Sequence, residues 1–223
     1  MTLTTAVNVS DVLIPALAES GTPITLPGQL SLPESVHGLV LFAHGSGSSR
    51  LSPRNRFVAG VLQESWLGTL LFDLLTEQEA ADRVNVFDIG LLAERLEAAI
   101  RFVAMRAQTA ALPLGLFGAS TGAAAALVAA AHEHRVQAIV SRGGRPDMAN
   151  GALGRVTVPT LLIVGGHDEE VLALNQLALE RLSSEKQLVV VPGATHLFEE
   201  PGTLEEAARL AAEWFARHLR SAS

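Results

Sequence analysis

Ser120 is the residue whose surroundings most favour chemistry in this 223-residue sequence. It occupies the centre of a Gly-Ala-Ser-Thr-Gly motif at positions 118–122, between an apolar run and an alanine-rich segment typical of a helix. A Gly-x-Ser-x-Gly motif between a strand and a helix forms a sharp turn that lifts the serine hydroxyl clear of the sheet. Backbone amides at the helix N-terminus can stabilise a negatively charged oxygen. We therefore expect Ser120 to be a nucleophile.

A serine nucleophile needs a base within hydrogen-bond distance and a carboxylate that orients this base. Asp168 follows the apolar run at 160–164, and His196 follows the run at 188–191. Because the C-terminal ends of parallel strands meet at one edge of a sheet, we expect both side chains to lie near Ser120. The three residues are candidates for a catalytic triad, in which Asp168 fixes the tautomer of His196.

Three other carboxylates are alternatives to Asp168 as the acid of this triad. Glu169 and Glu170 are its neighbours, and Asp147 follows the preceding predicted strand. We interpret His44 as a residue that supports the adjacent loop. His132, His134 and His218 lie on predicted helix surfaces and have no carboxylate or cysteine partners at the spacing of metal ligands, so we expect no metal site.

A glycine-rich loop follows the predicted strand at 39–43 and reads His-Gly-Ser-Gly-Ser-Ser at positions 44–49. A backbone amide from such an early loop can combine with the amide of the residue after the nucleophile in an oxyanion hole. We expect the amides of Ser46 and Thr121 to form this hole. Gly47 is the alternative to Ser46.

Short apolar runs alternate with longer helical segments, as in βα units. The runs are continuously apolar, which is typical of parallel strands covered by helices on both faces, and right-handed crossovers then imply a doubly wound sheet. Residues 5–35 predict an antiparallel hairpin at the sheet edge, with breaks at Gly21 and Pro27-Gly28. The predicted strands lie at 39–43, 69–73, 114–117, 138–140, 160–164 and 188–191, and the predicted helices at 88–106, 121–134 and 204–219.

These motifs make the sequence similar to the α/β-hydrolases, and most similar to the small serine hydrolases of the dienelactone hydrolase-like group. The His-Gly pair at 44–45, the motif around Ser120, Asp168 and His196 match in order, and the resemblance covers nearly the whole chain. It implies a three-layer α/β-hydrolase fold with a mostly parallel eight-stranded sheet and an antiparallel N-terminal edge. True dienelactone hydrolases use a cysteine nucleophile, and this chain has no cysteine. The resemblance therefore implies ester hydrolysis by Ser120 rather than a dienelactone substrate.

The composition predicts one α/β domain over residues 1–223 and limits the possible partners. With 48% hydrophobic and 17% charged residues the chain has enough apolar material for a large core. Its 16 basic and 23 acidic residues give a net charge of −7, which argues against a nucleic-acid partner. Residues 1–20 lack a positive segment and an apolar run long enough for a signal peptide or membrane span. We therefore expect a cytoplasmic protein that binds no membrane.

Several residues near the predicted catalytic edge could contact a substrate. Five arginines follow predicted strands there and could bind an anionic group, although ion pairs with the excess acids are the alternative. The segments 76–86 and 144–156 are too short for the apolar lid of a lipase, so we expect a minimal lid and an open, shallow site. The five arginines are Arg50, Arg54, Arg56, Arg142 and Arg145, and the candidate substrate contacts are Gly47, Arg54, Arg142, Met148 and Leu197.

The predicted reaction is the hydrolysis of a small or short-chain carboxylic ester through an acyl-enzyme, which requires water and no cofactor. A thioesterase or an amidase would use the same triad. A non-catalytic ligand-binding protein with a hydrolase fold is the alternative from another class. The sequence shows no single exposed apolar stripe that would indicate an oligomeric state.

Overall fold

The structure, a computed structural model, describes residues 6–219 apart from the side chain of Asn150. Eight strands form one sheet. Four of them are buried along their whole length, as expected for strands covered on both faces. The strands are β1 (Val7–Leu17), β2 (Pro23–Pro33), β3 (Gly38–Ala43), β4 (Leu67–Phe72), β5 (Leu114–Ala119), β6 (Val136–Arg142), β7 (Thr160–Gly165) and β8 (Lys186–Val191).

The strand order across the sheet is β1-β2-β4-β3-β5-β6-β7-β8. The strands from β4 to β8 in this order pair in parallel. In contrast, β2 pairs antiparallel with both β1 and β4. The predicted mostly parallel eight-stranded sheet with an antiparallel N-terminal edge is therefore confirmed. The parallel pairing brings the C-terminal ends of β3, β5, β6, β7 and β8 to one edge of the sheet.

The predicted break at Pro27-Gly28 is wrong, because β2 continues through both residues. Gly28 pairs with Val12 of β1 on one side and with Phe72 of β4 on the other. A Cβ atom on Gly28 would lie 3.0 Å from the Cβ of Phe72, so the missing side chain lets the strands approach closely. The hairpin instead turns once, near Gly21, whose φ is 78°.

Helices cover both faces of the sheet and complete the three layers. One apolar core lies between the sheet and the side that carries α4, α5 and α6, and a second lies between the sheet and α1 with α7. Within residues 6–219, none of the helices is both long and apolar enough to cross a membrane. The helices are α1 (Pro53–Glu64), α2 (Glu77–Ala80), α3 (Arg83–Phe87), α4 (Ile89–Ala104), α5 (Thr121–Ala130), α6 (Glu169–Arg181) and α7 (Thr203–His218), with a 3-10 helix at Pro146–Arg155.

The sequence-based prediction does not include α1 and α6. Each of these helices buries an asparagine, Asn55 in α1 and Asn175 in α6, which interrupts the apolar pattern on the buried face. The start of α1 does carry a signal, because the Ser52 side chain accepts a hydrogen bond from the Asn55 amide and Pro53 occupies the first helical position. A search for helix caps would have found α1.

Candidate active site

Ser120 lies on the turn between β5 and α5 with a φ of 52°, which is unusual for a residue other than glycine. The turn is tightly packed. A Cβ atom on Gly122 would lie 2.1 Å from the carbonyl oxygen of Ala43, and one on Gly118 would lie 2.4 Å from the Cα of Ala123. Glycine is therefore required at both positions for β3, β5 and α5 to meet. This is the strained strand-to-helix turn that the motif predicts.

His196 and Asp168 are brought together by the loops that follow β8 and β7. The Nδ1 atom of His196 lies 2.6 Å from Oδ2 of Asp168. The backbone amide of His167 also donates to the carbonyl of Ala194 at 2.9 Å, which ties the two loops to each other. A carboxylate that accepts the Nδ1 proton leaves Nε2 free to accept a proton from a nucleophile.

Ser120 and His196 line the same cavity, which has a volume of about 220 Å³. The Ser120 hydroxyl makes no hydrogen bond to His196 or to any other group of residues 6–219. In unliganded enzymes the bond between nucleophile and base is often long and shortens when substrate binds. A serine hydroxyl and an imidazole oriented by Asp168 therefore line the same cavity, as a nucleophile and its base would.

The three carboxylates that are alternatives to Asp168 make no hydrogen bond to His196 within the described residues. Asp147 forms two hydrogen bonds with the guanidinium of Arg145, at 2.9 and 2.8 Å. These bonds from Arg145 hold the pKa of the Asp147 carboxyl below its ordinary value. Glu169 and Glu170 are exposed in the first turn of α6, where their charge is favourable to the helix dipole. The hydrogen bond to His196 therefore favours Asp168 as the orienting carboxylate.

The two amides predicted for the oxyanion hole belong to residues on neighbouring parts of the site. Thr121 is the first residue of α5, and Ser46 lies in the loop after β3. Both residues line a second cavity of about 350 Å³, and Ser46 also lines the cavity that contains Ser120. Neither backbone amide donates to another group within residues 6–219. Both amides are thus available to a substrate oxygen.

His44 connects the loop at 44–49 to the end of β4. Its Nε2 atom accepts a hydrogen bond from the Leu74 amide at 3.1 Å, so the proton of the neutral ring is on Nδ1, which lies 3.1 Å from the carbonyl oxygen of Gly45. Burial lowers the pKa of His44 and outweighs the opposing effects of the Gly45 carbonyl and the Asp73 charge. His44 is therefore neutral in the folded protein and supports the loop, as predicted.

We expect the free energy of unfolding to decrease on acidification, because protonated His44 would place an N–H against the Leu74 amide. The folded pKa lies below the ordinary value of 6.5, so the unfolded chain binds more protons. The contribution of His44 is complete above pH 6.5 and is lost as the pH falls through the folded pKa, by at most about 1.4 kcal/mol per pH unit. Urea unfolding at several pH values measures this loss.

The His44→Gln variant should show a weaker dependence of unfolding free energy on pH than the parent. The exposed His134→Gln variant is the matched control and should keep the parental dependence. Equal slopes in the parent and His44→Gln would contradict this explanation.

The loop at 44–49 lines both cavities. We call the smaller one the polar cavity and the larger one the apolar cavity. The polar cavity is defined by Ser52, Arg54, Asn55, Ser120, Arg142 and His196. The apolar cavity is defined by Leu51, Asp73, Leu75, Ala80, Val86 and Leu92.

The segment at 76–86 shapes the site more than the sequence suggests. Its two short helices, α2 and α3, form a wall of the apolar cavity through Glu77, Ala80 and Val86. The buried guanidinium of Arg95 in α4 holds this wall in place with a hydrogen bond of 2.6 Å to Glu79 in α2. The lid is small, as predicted. The segment is therefore part of the wall of a cavity as well as a small lid.

Some of the five arginines differ in location from the prediction, and three of them form the ion pairs that were the alternative to anion binding. Arg54 and Arg56 are in the first turn of α1 rather than in a loop, and Arg142 is the last residue of β6. Arg50 pairs with Asp73, Arg145 with Asp147, and Arg54 with Glu199 at 3.2 Å. Arg56 is exposed, and Arg142 is buried in the polar cavity.

The other predicted substrate contacts have different surroundings. Gly47 lines the apolar cavity and Leu197 the polar cavity. Met148 lines neither cavity, because it packs against the apolar core on the α5 side of the sheet. Sequence reasoning missed Asn55, whose Oδ1 accepts a hydrogen bond from Arg142 at 3.4 Å. The described part of the chain contains no group of three or more histidine, aspartate or glutamate side chains arranged to hold a metal ion.

Comparison with known proteins gives a consistent family assignment. The model of the dienelactone hydrolase family matches residues 75–220, which include Ser120, Asp168 and His196. The crystal structure of a dienelactone hydrolase from Anabaena variabilis is 53% identical, covers 96% of this chain and 99% of that chain, and superposes with a TM-score of 0.90. The structure of Est1E from Butyrivibrio proteoclasticus is 16% identical, covers 92% of this chain and 98% of that chain, and shares the fold with a TM-score of 0.76.

A relative from Mycobacterium tuberculosis carries the provisional name of a phosphoribosyl transferase. It is 60% identical over 198 residues, which are 88% of this chain. This chain spans only 45% of the length of that relative, so the name also describes residues without a counterpart here. The family model and the Anabaena structure cover most of the chain with an α/β-hydrolase fold. The chain therefore belongs to the dienelactone hydrolase family.

Proposed function

We propose that the protein is a serine carboxylic-ester hydrolase that acts on small or short-chain esters through Ser120, His196 and Asp168. The observation that carries this proposal is the 2.6 Å hydrogen bond between His196 and Asp168 beside a serine on a strained turn. A serine that merely capped a helix would need neither this backbone strain nor an oriented imidazole in the same cavity. Membership of a hydrolase family supports the same reaction.

The reaction proceeds in two halves. The Ser120 Oγ attacks the ester carbonyl carbon while His196 Nε2 takes the hydroxyl proton, and the carbonyl oxygen becomes an oxyanion bound by the Ser46 and Thr121 amides. The bond to the alcohol oxygen then breaks, and His196 returns the proton to the leaving alcohol. Water attacks the acyl-enzyme with His196 as base, which releases the carboxylic acid and restores Ser120.

Stopped-flow hydrolysis of p-nitrophenyl butanoate tests the proposal. A stoichiometric burst of nitrophenolate is expected if an acyl-enzyme accumulates. A phosphonate probe should add to the peptide that contains Ser120, as measured by mass spectrometry. Butanoyl thioester and anilide substrates belong in the same panel, because thioesterases and amidases use the same acyl chemistry. A protein that turned over none of these substrates and took no label would be a binding protein instead.

We expect activity to fall steeply once the acyl chain exceeds the apolar cavity. Its volume of about 350 Å³ is near the lower end of the range of roughly 300–1,000 Å³ for ligand pockets. A chain longer than the cavity has to bend against the walls formed by α2, α3 and α4 or leave between them, which costs free energy, so p-nitrophenyl decanoate should be hydrolysed about tenfold more slowly than the butanoate. The measurement is kcat/KM for the even-numbered series from acetate to decanoate. A rate that kept rising to decanoate would contradict the expectation.

A further inference from the structure

Building on the ester hydrolase proposed above, we infer that the two cavities impose a polarity on the substrate. The polar cavity binds a compact anion, a carboxylate or a phosphate, on the alcohol side of the ester. The apolar cavity binds an uncharged acyl group. The inference depends on an unpaired buried cation, on the charges around each cavity, and on the position of the general base.

The unpaired cation is Arg142, which is only 7% exposed. Its Nη2 donates to Asn55 at 3.4 Å, and its guanidinium carbon lies 6.0 and 5.8 Å from the ring centres of Phe117 and Phe198. Its Nη1 is buried, and within residues 6–219 it has neither a hydrogen-bond acceptor nor an ion pair with a carboxylate. Buried arginines are normally paired, because burying an unpaired charge is costly. An anion in the polar cavity would supply the missing partner.

Arg54 adds a second positive charge to the same cavity. Burial, together with the charge of Arg54, lowers the pKa of Arg142 to about 10. Arg54 is also held by Glu199, but this contact of 3.2 Å is exposed on the Glu199 side and can be exchanged for an anion. The hydroxyls of Ser48 and Ser52 line the cavity and can donate to anionic oxygens. A compact anion would offset both the desolvation of Arg142 and its repulsion by Arg54.

The apolar cavity does not favour an anion. Its arginine, Arg50, is neutralised by an ion pair with Asp73, and Glu77 adds a negative charge at its wall. Apolar side chains from the loop after β3, the segment after β4 and α4 form the remaining walls. The two cavities therefore have opposite preferences, one for an anion and one for an uncharged apolar group.

The position of His196 assigns each cavity to one side of the ester. His196 must return its proton to the leaving oxygen, so the alcohol group has to lie within reach of the imidazole. His196 lines the polar cavity and not the apolar one. Of the two residues whose amides would bind the carbonyl oxygen, Thr121 lines only the apolar cavity and Ser46 lines both cavities. The acyl group therefore extends past these amides, away from His196.

Four synthetic esters of similar size test this polarity. Pentyl butanoate is the neutral reference. The carboxylate of 4-(butanoyloxy)butanoate and the phosphate of 2-(butanoyloxy)ethyl phosphate lie on the alcohol side, whereas monobutyl glutarate carries its carboxylate on the acyl side. We expect kcat/KM for at least one alcohol-side anion to exceed that of the neutral ester by about tenfold, since bonds to charged groups are stronger than neutral ones. The acyl-side anion should be poorer than the neutral ester.

The ratio of kcat/KM for an alcohol-side anionic ester to kcat/KM for the neutral ester, measured in variants, identifies the residue that binds the anion. Arg142→Gln should reduce this ratio to about one, and Arg142→Met provides a second variant if the first folds poorly. Arg56→Gln is the matched control. Arg56 is exposed on the same helix turn as Arg54, and its substitution removes one positive charge, as Arg142→Gln does. The Arg56→Gln variant should keep the parental ratio. Val86→Phe should shorten the acyl chain that is accepted and leave the ratio unchanged.

The outcomes separate this inference from the proposed function. Hydrolysis of the neutral ester with no preference for either alcohol-side anion would overturn the inference and leave the esterase intact. A preference that survived Arg142→Gln, or one for the acyl-side anion, would also overturn it. Failure to hydrolyse any ester would instead contradict the proposed function. Between the two alcohol-side anions, the better substrate shows whether the natural group is a carboxylate or a phosphate.

Discussion

Replacement of Ser120 by alanine is expected to lower kcat for p-nitrophenyl butanoate by at least about 10⁴-fold. In serine hydrolases the nucleophile, base and acid act as a unit, and loss of the nucleophile leaves only the rate enhancement from binding and the oxyanion hole. Here the amides proposed for the oxyanion hole belong to the backbone and persist in the variant. Residual hydrolysis should therefore be measurable above the uncatalysed rate, while the burst of nitrophenolate should vanish.

Folding controls make this result interpretable. Because Ser120 has a φ of 52°, Ser120→Gly should relieve backbone strain, and its thermal unfolding temperature should be at least that of Ser120→Ala. Both variants should be equally inactive. Ser20→Ala, in the exposed turn between β1 and β2, should retain parental activity. Parental turnover in a correctly folded Ser120→Ala would refute Ser120 as the nucleophile.

The residues of the proposed triad are predictable from sequence because their positions depend on strand ends. Parallel strands place the residues that follow them at one edge, so a serine, an aspartate and a histidine after three such runs have to converge. The structure brings His196 and Asp168 into contact across 28 positions of sequence. The choice among neighbouring acids is less predictable. It depends on the orientation of one side chain within a loop, and Asp147 is occupied only because Arg145 folds back onto it.

Unlike the residues of the proposed triad, the walls of the cavities do not follow from the positions of strand ends in the sequence. The walls of the apolar cavity come from the loop after β3, from α2 and α3, and from α4, and no spacing in the sequence relates these segments. The segment at 76–86 is short in sequence, but Arg95 fixes it against α4 and so turns it into a wall. The length of the segment alone therefore does not show that it lines a cavity.

The sequence also does not show which arginines of the site are paired and which are buried. Composition shows fifteen arginines and an excess of acids, which predicts that most arginines are paired. It cannot show that an arginine without an ion pair is buried in the site. Arg142 is such a residue because β6 ends in the polar cavity, near Phe117 and Phe198, and no carboxylate of residues 6–219 forms an ion pair with it. Arg142, which was predicted to lie on a loop after a strand, is instead the last residue of β6 and the most buried arginine of the polar cavity.

Asp168→Asn is the second variant with a large expected effect, and it distinguishes Asp168 from its neighbours. We expect kcat to fall by about 10⁴-fold with a small change in KM, because an asparagine in this position can stabilise the wrong tautomer of His196 and cannot stabilise the imidazolium. The exposed positions of Glu169 and Glu170, and the pairing of Asp147 with Arg145, predict at most small changes in kcat for Glu169→Gln, Glu170→Gln and Asp147→Asn.

A comparison of these four variants under saturating ester tests the assignment directly, because each removes one negative charge. If the acid acted only through the electrostatic field of the site, the four losses would be similar. If it acts through the 2.6 Å hydrogen bond to His196 Nδ1, only Asp168→Asn should lose activity severely. The Nδ1 proton resonance of His196 in NMR spectra should shift in that variant alone. A severe loss of kcat in Asp147→Asn with a mild loss in Asp168→Asn would instead identify Asp147, which follows β6, as the acid of the triad.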